Sequence, residues 1–202
     1  THEAIDPVRY IANRSTGKMG YAIAAAAARR GAEVTLVSGP TSLGTPAGVR
    51  RIDVESAAQM HDAMLAEFEG ADIAICSAAV ADYTPAAPAD HKLKKSREHL
   101  DAIALTETAD ILADLCAAKG PRVVVGFAAE TDDLLAHAQD KLEHKGADLI
   151  VANDVSRPES TFGADTNRVA LVSAEGVEQL ETMPLPAVAD AILDAVLQRV
   201  SR

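Results

Sequence analysis

Cysteine and aromatic residues are scarce in this sequence, and tryptophan is missing. The 202 residues hold two cysteines, three tyrosines and three phenylalanines, so aromatics make up 3% of the chain. Cys76 and Cys116 lie far apart, each inside an apolar segment. That excludes a disulfide framework or zinc spacing and points to a reducing, cytoplasmic setting. No apolar run approaches the roughly 20 residues of a membrane span, because residues such as Arg29 and Arg30 break every hydrophobic stretch. Positive charge is short as well. There are 19 Lys plus Arg against 30 Asp plus Glu, a formal net charge of −11, which argues against nucleic acid as a partner. The six histidines form no HxH or HExxH spacing, so no protein-held metal site is expected. What is present, 48% apolar and 24% charged residues, is the composition of one globular domain spanning 1–202.

The charge is unevenly spread. Up to Asp101 there are 11 basic and 13 acidic residues; beyond it, 8 and 17. The basic residues of the first part gather in Arg9 to Lys18 and Lys92 to Arg97, both rich in turn formers. Two such loops suit a small phosphorylated ligand, although solvated surface loops have the same composition. Between them, helix and strand patterns alternate. GKMGYAIAAAAARR at 17–30 reads as a helix with Ser15 or Thr16 as N-cap and Gly31 as its stop. EVTLVS at 33–38 and VRRIDV at 49–54 read as strands, and 57–68 as a helix with Met60, Met64 and Phe68 on one face. Then come strand DIAICSA (72–78), a helix around 111–118, strand RVVVGF (122–127), a helix over 132–145 and strand DLIVAN (148–153). Near-continuous apolar strands separated by helices imply a Rossmann-like, doubly wound α/β fold with a mostly parallel sheet. RVALVS (168–173) and VEQLET (177–182) flank Ala174-Glu175-Gly176 and predict an antiparallel C-terminal hairpin edge, followed by a closing helix begun by proline. A polar loop feeding a first helix ordinarily follows a strand, and none precedes it here, so the domain is expected to lack its first strand.

Residues 79–100, with Pro85 and Pro88, are too long for an ordinary connection and read as a functional flap. The segment IDPVRYIANRSTGKMG at 5–20 satisfies neither phosphate-binding fingerprint. Ala12 stands where a Walker A glycine is needed, Met19 follows the lysine in place of a hydroxyl residue, and GxGxxG is missing. What remains is a polar turn feeding a helix N-terminus, whose unpaired amides favour an anion. An ordinary capped helix would explain Ser15, Thr16 and Gly17. It would not explain Arg9, Arg14 and Lys18 converging on one turn.

DPVRYIANRSTGKMGYAIAAAAARRGAEVTLVSGP, AAVADYTP, HKLKK, GFAAET and ANDVS, in this order and over nearly the whole chain, resemble the phosphopantothenoylcysteine synthetase family of coenzyme A biosynthesis. The likeness is to its bacterial branch, where this domain commonly follows a flavin-dependent decarboxylase domain in one polypeptide. Thr1-His2-Glu3 resembles the end of the family's GGTxE turn. The resemblance implies that 4′-phosphopantothenate and cysteine are joined as an amide, with CTP cleaved to CMP and pyrophosphate through an acyl-cytidylate. It implies Mg²⁺ accompanying CTP as co-substrate, FMN only in the decarboxylase domain, and a homodimer.

The same resemblance implies site residues. Lys92 matches a motif lysine that holds phosphates and supports acyl-cytidylate formation; HKLKK alone would read as a solvated charge run. Asn13 matches an asparagine of the second half-reaction; by itself it would be a turn residue. Ser15 belongs to the anion turn. Asp82, beyond the carboxyl end of a strand, matches a nucleotide contact and can accept from an exocyclic amine, of adenine as well as cytosine. Phe127 matches a residue at the nucleotide, but a core phenylalanine reads the same. Ala109, Asp110, Ile111 and Leu112 occupy a helix start whose amides contact nucleotide, with Thr108-Ala109 where the family has Asn-Pro. Lys141 and Lys145, at i and i+4, match nucleotide lysines or are helix C-terminal dipole partners. Thr161 replaces a glycine of GFxxxxN before Asn167. The competing classes are an NAD(P)-dependent oxidoreductase on a similar sheet and a non-catalytic nucleotide sensor. The former is disfavoured because Tyr10, Tyr21 and Tyr83 have no lysine four residues on.

Overall fold

The computed structural model describes residues 1–95, 101–130, 133–154 and 163–200. A small hairpin, β1 (Glu3–Ala4) and β2 (Tyr10–Ile11), precedes helix α1 (Lys18–Arg29), β3 (Val34–Ser38), β4 (Val49–Asp53), α2 (Ala57–Phe68) and β5 (Ile73–Cys76). A ribbon of β6 (Tyr83–Pro85) and β7 (Leu105–Glu107) comes next, then α3 (Ile111–Ala118), β8 (Val123–Glu130), α4 (Leu134–Lys145) and β9 (Leu149–Asp154). The chain continues through β10 (Thr166–Asn167), β11 (Val169–Ser173), β12 (Gly176–Gln179), β13 (Met183–Pro184) and α5 (Leu185–Val200).

The central sheet has the order β12-β11-β9-β8-β5. β5, β8 and β9 are parallel, while β11 and β12 form the expected antiparallel edge, with Ser173 opposite Gly176. Alternation along the strands divides the core in two. Val124, Ala128, Ile150, Ala152, Ala170 and Val172 face Met60, Phe68, Leu115 and Leu142, which come from α2, α3 and α4. Val123, Val125, Leu149, Val151, Val169 and Leu171 face Ile23 and Ala26 of α1 and Val188, Ile192 and Val196 of α5. A strand buried on both faces needs apolar residues at every position, which is why these segments read as continuous runs. β3 and β4 form a separate parallel pair. The fold is therefore the Rossmann-like α/β arrangement, with helices on both faces and the carboxyl ends of its parallel strands at one end.

Three local readings are corrected. Gly17, not Ser15 or Thr16, is the N-cap of α1; it has φ 78°, where glycine is unstrained, and no side chain caps the helix. β8 runs on to Glu130 because it pairs with β9 as far as Asp154. The flap is not loop alone: it rises from the β6–β7 ribbon, which is antiparallel. Residues 96–100 of the flap, Asp132 at the start of the helix read from there, Val155-Ser156 of ANDVS and Thr161-Phe162 lie outside the described residues; Asp133 is the N-cap of α4, which begins at Leu134.

Candidate active site

β5 and β8 are parallel, so the chain leaves both at the same end of the sheet. After β5 the backbone passes through Val80, Ala81 and Asp82 before entering β6. Asn13, in the loop between β2 and α1, donates from Nδ2 to the Val80 carbonyl at 3.0 Å. Thr108 grips the same segment from the other side, with its hydroxyl on the Ala81 carbonyl at 2.8 Å and its amide on the Asp82 carbonyl at 2.9 Å. The Asp82 backbone is thereby fixed while the residue stays exposed.

Thr108 leads directly into Ala109 and Asp110, the start of α3. Asp110 is the N-cap, its side chain accepting the Ala113 amide at 2.9 Å, and its second oxygen bonds Lys145 of α4. Burial pushes the Asp110 carboxyl up, but the Lys145 and Ala113 hydrogen bonds and the charge of Lys141 outweigh it and leave the group below its ordinary value. One turn before Lys145, Lys141 donates to the Phe127 carbonyl at 2.8 Å. Ile111 and Leu112 are each 8% exposed and part of the core, so only their backbone amides can meet a ligand. Phe127 is half-buried against the α1 and α5 side, and its carbonyl rather than its ring meets Lys141.

The fold thus joins Asn13, Asp82, Ala109, Asp110, Phe127, Lys141 and Lys145 into one arc over the ends of β5 and β8. Ser15 is exposed in the loop that carries Asn13. Lys92 is exposed on the flap, where the amide of its neighbour Leu93 donates to Asp6 of the β1–β2 loop at 3.1 Å. The expected convergence of three cations on the α1 turn is corrected. Lys18 donates to Asp165 at 2.7 Å and to the Gly163 carbonyl at 2.8 Å, and Arg9 pairs with Asp6. The partner of Lys18 lies 147 residues away and leaves no local charge pattern, whereas Asp6 lies only three residues before Arg9. Only Arg14 of the three is left for the turn, where it is exposed.

Sequence reasoning missed Asp6 and Thr108. The Asp6-Pro7 step with arginine at the third position on is the available signal for Asp6, since aspartate before such a turn bonds the amides that follow. Thr108 stood out only as a departure from Asn-Pro. Cys76, at the end of β5, has its thiol pushed up to about 12, first by burial, so it remains protonated and is no nucleophile. Among the described residues no group of three His, Cys, Asp or Glu side chains could hold a metal, and no helix is long and apolar enough to cross a membrane. A concavity of about 600 Å³ lies at the opposite end of the sheet, by Leu65, Phe68 and Arg122. Its cations are engaged there: Arg122 with the Phe68, Ala118 and Lys119 carbonyls, Lys119 with Asp148.

A doubly wound α/β domain with polar and charged side chains gathered beyond the carboxyl ends of its parallel strands belongs to the class that takes up ligands at that end. Within this class, the chain belongs to the family described as the DNA/pantothenate metabolism flavoprotein C-terminal domain, whose family model matches residues 1–200. It is 46% identical over 202 residues to the coenzyme A biosynthesis bifunctional protein CoaBC of Vibrio cholerae, covering 99% of this chain and 51% of that protein. The protein of the same name from Bacillus subtilis is 50% identical over 177 residues, covering 87% of this chain and 43% of the relative. The chain therefore spans about half the length of the curated relatives it matches. Among solved structures, the C-terminal domain of a CoaBC protein aligns with a TM-score of 0.84 and 40% identity, covering 100% of this chain and 91% of that one. The DNA/pantothenate metabolism flavoprotein from Streptococcus pneumoniae shares the fold, with a TM-score of 0.82 at 24% identity, covering 98% of this chain and 95% of that one.

Proposed function

We propose that this domain is a phosphopantothenate–cysteine ligase of coenzyme A biosynthesis that uses CTP. The observation that carries the reading is the 40% identity across 91% of a solved CoaBC C-terminal domain. A carboxylate is a poor acyl electrophile, so it must be activated before an amine can displace oxygen. The 4′-phosphopantothenate carboxylate attacks the α-phosphorus of CTP and pyrophosphate leaves; the cysteine amine then attacks the acyl carbon of the acyl-cytidylate and CMP leaves.

The residues have chemistry suited to these steps. The amides at the start of α3, with Lys141 and Lys145 beside them, favour phosphate oxygens, and Ser15 can add a hydroxyl from the α1 turn. Asp82 can accept from the exocyclic amine of the base. Lys92, brought over by the flap, offsets the charge of two anions meeting. Asn13 uses one N–H on Val80 and retains a second, which can stabilise the oxyanion formed when cysteine attacks. Mg²⁺ would arrive on the triphosphate and neutralise part of its charge. FMN belongs, in this reading, to a decarboxylase domain of the same parent chain; the bifunctional names of the relatives and the half-length match support such a fusion. We further infer a cytoplasmic homodimer.

The test compares nucleoside triphosphates for pyrophosphate release in the presence of phosphopantothenate and cysteine. CTP should be the preferred substrate, and amide formation should require both acceptors. Lys92→Ala should slow acyl-cytidylate formation by about 10²-fold or more, whereas Asn13→Ala should let that intermediate build up while amide formation fails. Equal pyrophosphate release by the Lys92 variant and the unsubstituted protein removes the lysine from its role. Thermal stabilisation by NADPH but not CTP reverses the reading toward an oxidoreductase, and CTP binding without turnover toward a sensor.

A further inference from the structure

Asp6 is a buried carboxylate in the loop between β1 and β2, 3% exposed as a residue and with no exposed side-chain surface. Such a group is stable only when both oxygens are bonded. Oδ1 accepts the Val8 amide at 2.8 Å and the Arg9 amide at 2.9 Å, closing a local turn. Oδ2 accepts Arg9 Nε at 3.0 Å, Arg9 Nη2, and the Leu93 amide at 3.1 Å. The last donor lies 87 residues away, on the flap. Arg9 Nη2 also reaches the Leu93 carbonyl at 3.0 Å, so one ion pair holds both the N–H and the C=O of a single flap residue. A third bond, from the Ala89 amide to the Ile5 carbonyl at 2.9 Å, fastens the same arm four residues earlier.

Two features make this more than a surface latch. The gripped N–H belongs to the peptide that joins Lys92 to Leu93, so the grip fixes where the Lys92 backbone lies. The gripping loop continues through β2, whose Ile11 pairs with Glu3, into Asn13. One charged pair therefore sets the flap against the loop that carries Asn13. The Arg9 hydrogen bond, together with the three amides, outweighs burial and holds the Asp6 carboxyl well below the usual carboxylate range, so the pair is charged whenever the protein is folded near neutrality.

We propose that Asp6 is a positioning residue: through Arg9 and the Leu93 backbone it holds Lys92 at the site in register with Asn13. The role of Lys92 rests on the ligase reading above, but the grip itself does not. Asp6→Asn keeps an oxygen for the Val8 and Arg9 amides and puts an NH₂ group opposite the donors of Leu93 and Arg9. The local turn should survive and the long-range grip should open.

The experiment follows amide hydrogen exchange without nucleotide, together with pre-steady-state pyrophosphate release. In Asp6→Asn, exchange at Leu93 should accelerate at least about tenfold, a loss of the order of one net hydrogen bond, while Val8 and Arg9 change little. Pyrophosphate release should fall about tenfold in kcat with a smaller change in the KM for CTP, as expected for a displaced group that acts in the transition state. In a Lys92→Ala background, Asp6→Asn should have little further effect on kcat, whereas a merely structural role would leave the two losses additive. If Asp6→Asn fails to fold, Arg9→Lys serves instead: a single ammonium cannot span Asp6 and the Leu93 carbonyl as the guanidinium fork does. Unchanged Leu93 exchange overturns the inference whatever the activity. Faster exchange with undiminished pyrophosphate release, or additive losses, overturns the positioning role. Absence of pyrophosphate release from the unsubstituted protein with every nucleoside triphosphate overturns the ligase reading and the catalytic half of the inference together, an outcome the exchange data would not show.

Discussion

A Cβ at Gly20 or at Gly126 would meet a neighbouring side chain closer than 3 Å, yet replacing the two should have unequal outcomes. A Cβ at Gly20 would stand 2.7 Å from Ser77 Oγ alone, and that hydroxyl can turn away about χ1. Gly20 also sits in the first turns of α1, where alanine is about 1 kcal/mol better than glycine. Gly20→Ala is therefore expected to change unfolding free energy by less than about 1 kcal/mol in either direction. A Cβ at Gly126, in β8, would stand 2.6 Å and 2.8 Å from the terminal methyls of Leu112 and Ile150. These side chains are 8% and 0% exposed and have nowhere to swing. Gly126→Ala is expected to destabilise by about 1 to 3 kcal/mol, as overpacked cores do. Because Leu112 lies in the first turn of α3, the shift should also move the amides proposed to receive phosphate. Urea melts of both variants with CTP titrations check this: a loss of stability at Gly126 without weaker CTP binding would separate the α3 N-terminus from the nucleotide.

Helices α2 and α3 are joined on their outer side by His61, whose Nε2 lies 2.9 Å from Asp114 and whose Nδ1 lies 3.2 Å from Asp62. The hydrogen bond that the His61 imidazolium donates to Asp114, then the one it donates to Asp62, holds its pKa above the ordinary value. A raised folded-state value means that the protonated pair adds stability in full below the unfolded value near 6.5, and that this is lost as pH rises through the folded value. Asp114 is 52% exposed, so the effect should be only about 0.5 kcal/mol. Urea unfolding from about pH 6 upward should show that decline, and Asp114→Asn should flatten it; an unchanged slope would remove the link. The two helices joined here were legible in the sequence with the bounds found, α2 because Met60, Met64 and Phe68 keep helical spacing; the Ser56–Gln59 capping box that starts α2 emerges from the structure. The five-stranded sheet was legible for a similar reason, since doubly buried strands leave unbroken apolar runs. The ribbons β1–β2 and β6–β7 were not, because strands of two or three residues carry no period. The site shows the same division. Its location beyond strand ends follows from the alternation of elements, whereas the bonds Lys145 to Asp110, Lys141 to Phe127 and Lys18 to Asp165 join residues whose pairing no local pattern records.

Among the described residues the β3–β4 pair stands apart from the five-stranded sheet. β3 is paired only with β4 and β5 only with β8, and no ladder joins β3 to β5 among the described residues. Four of the five β3 residues, and three of the four in β5, stay half exposed, while Val124, Val125, Leu149, Ile150 and Val151 of β8 and β9 are at 0%. Thr1 lies across the carboxyl ends of both strands: its hydroxyl accepts the Ala81 amide at 3.2 Å, and its amine is 3.6 Å from where a Cβ on Gly39 would stand. A segment ending at Thr1 would thus run parallel to β3 and β5, with α1 as its right-handed crossover to β3. Extending the chain ahead of Thr1 by about six valine- and isoleucine-rich residues, the length of an ordinary strand, should therefore join the two ladders. The thermal midpoint should rise by about 5 °C or more, the equivalent of one to two kcal/mol in a domain of this size. Amides of Val34 to Val37 and Ile73 to Cys76 should exchange more slowly as their free edges close. A glycine- and serine-rich extension of equal length adds the same backbone without the apolar side chains and should do neither. If the two extensions behaved alike, the space between β3 and β5 would be no strand position, and the half-exposed faces of these strands would need a different partner.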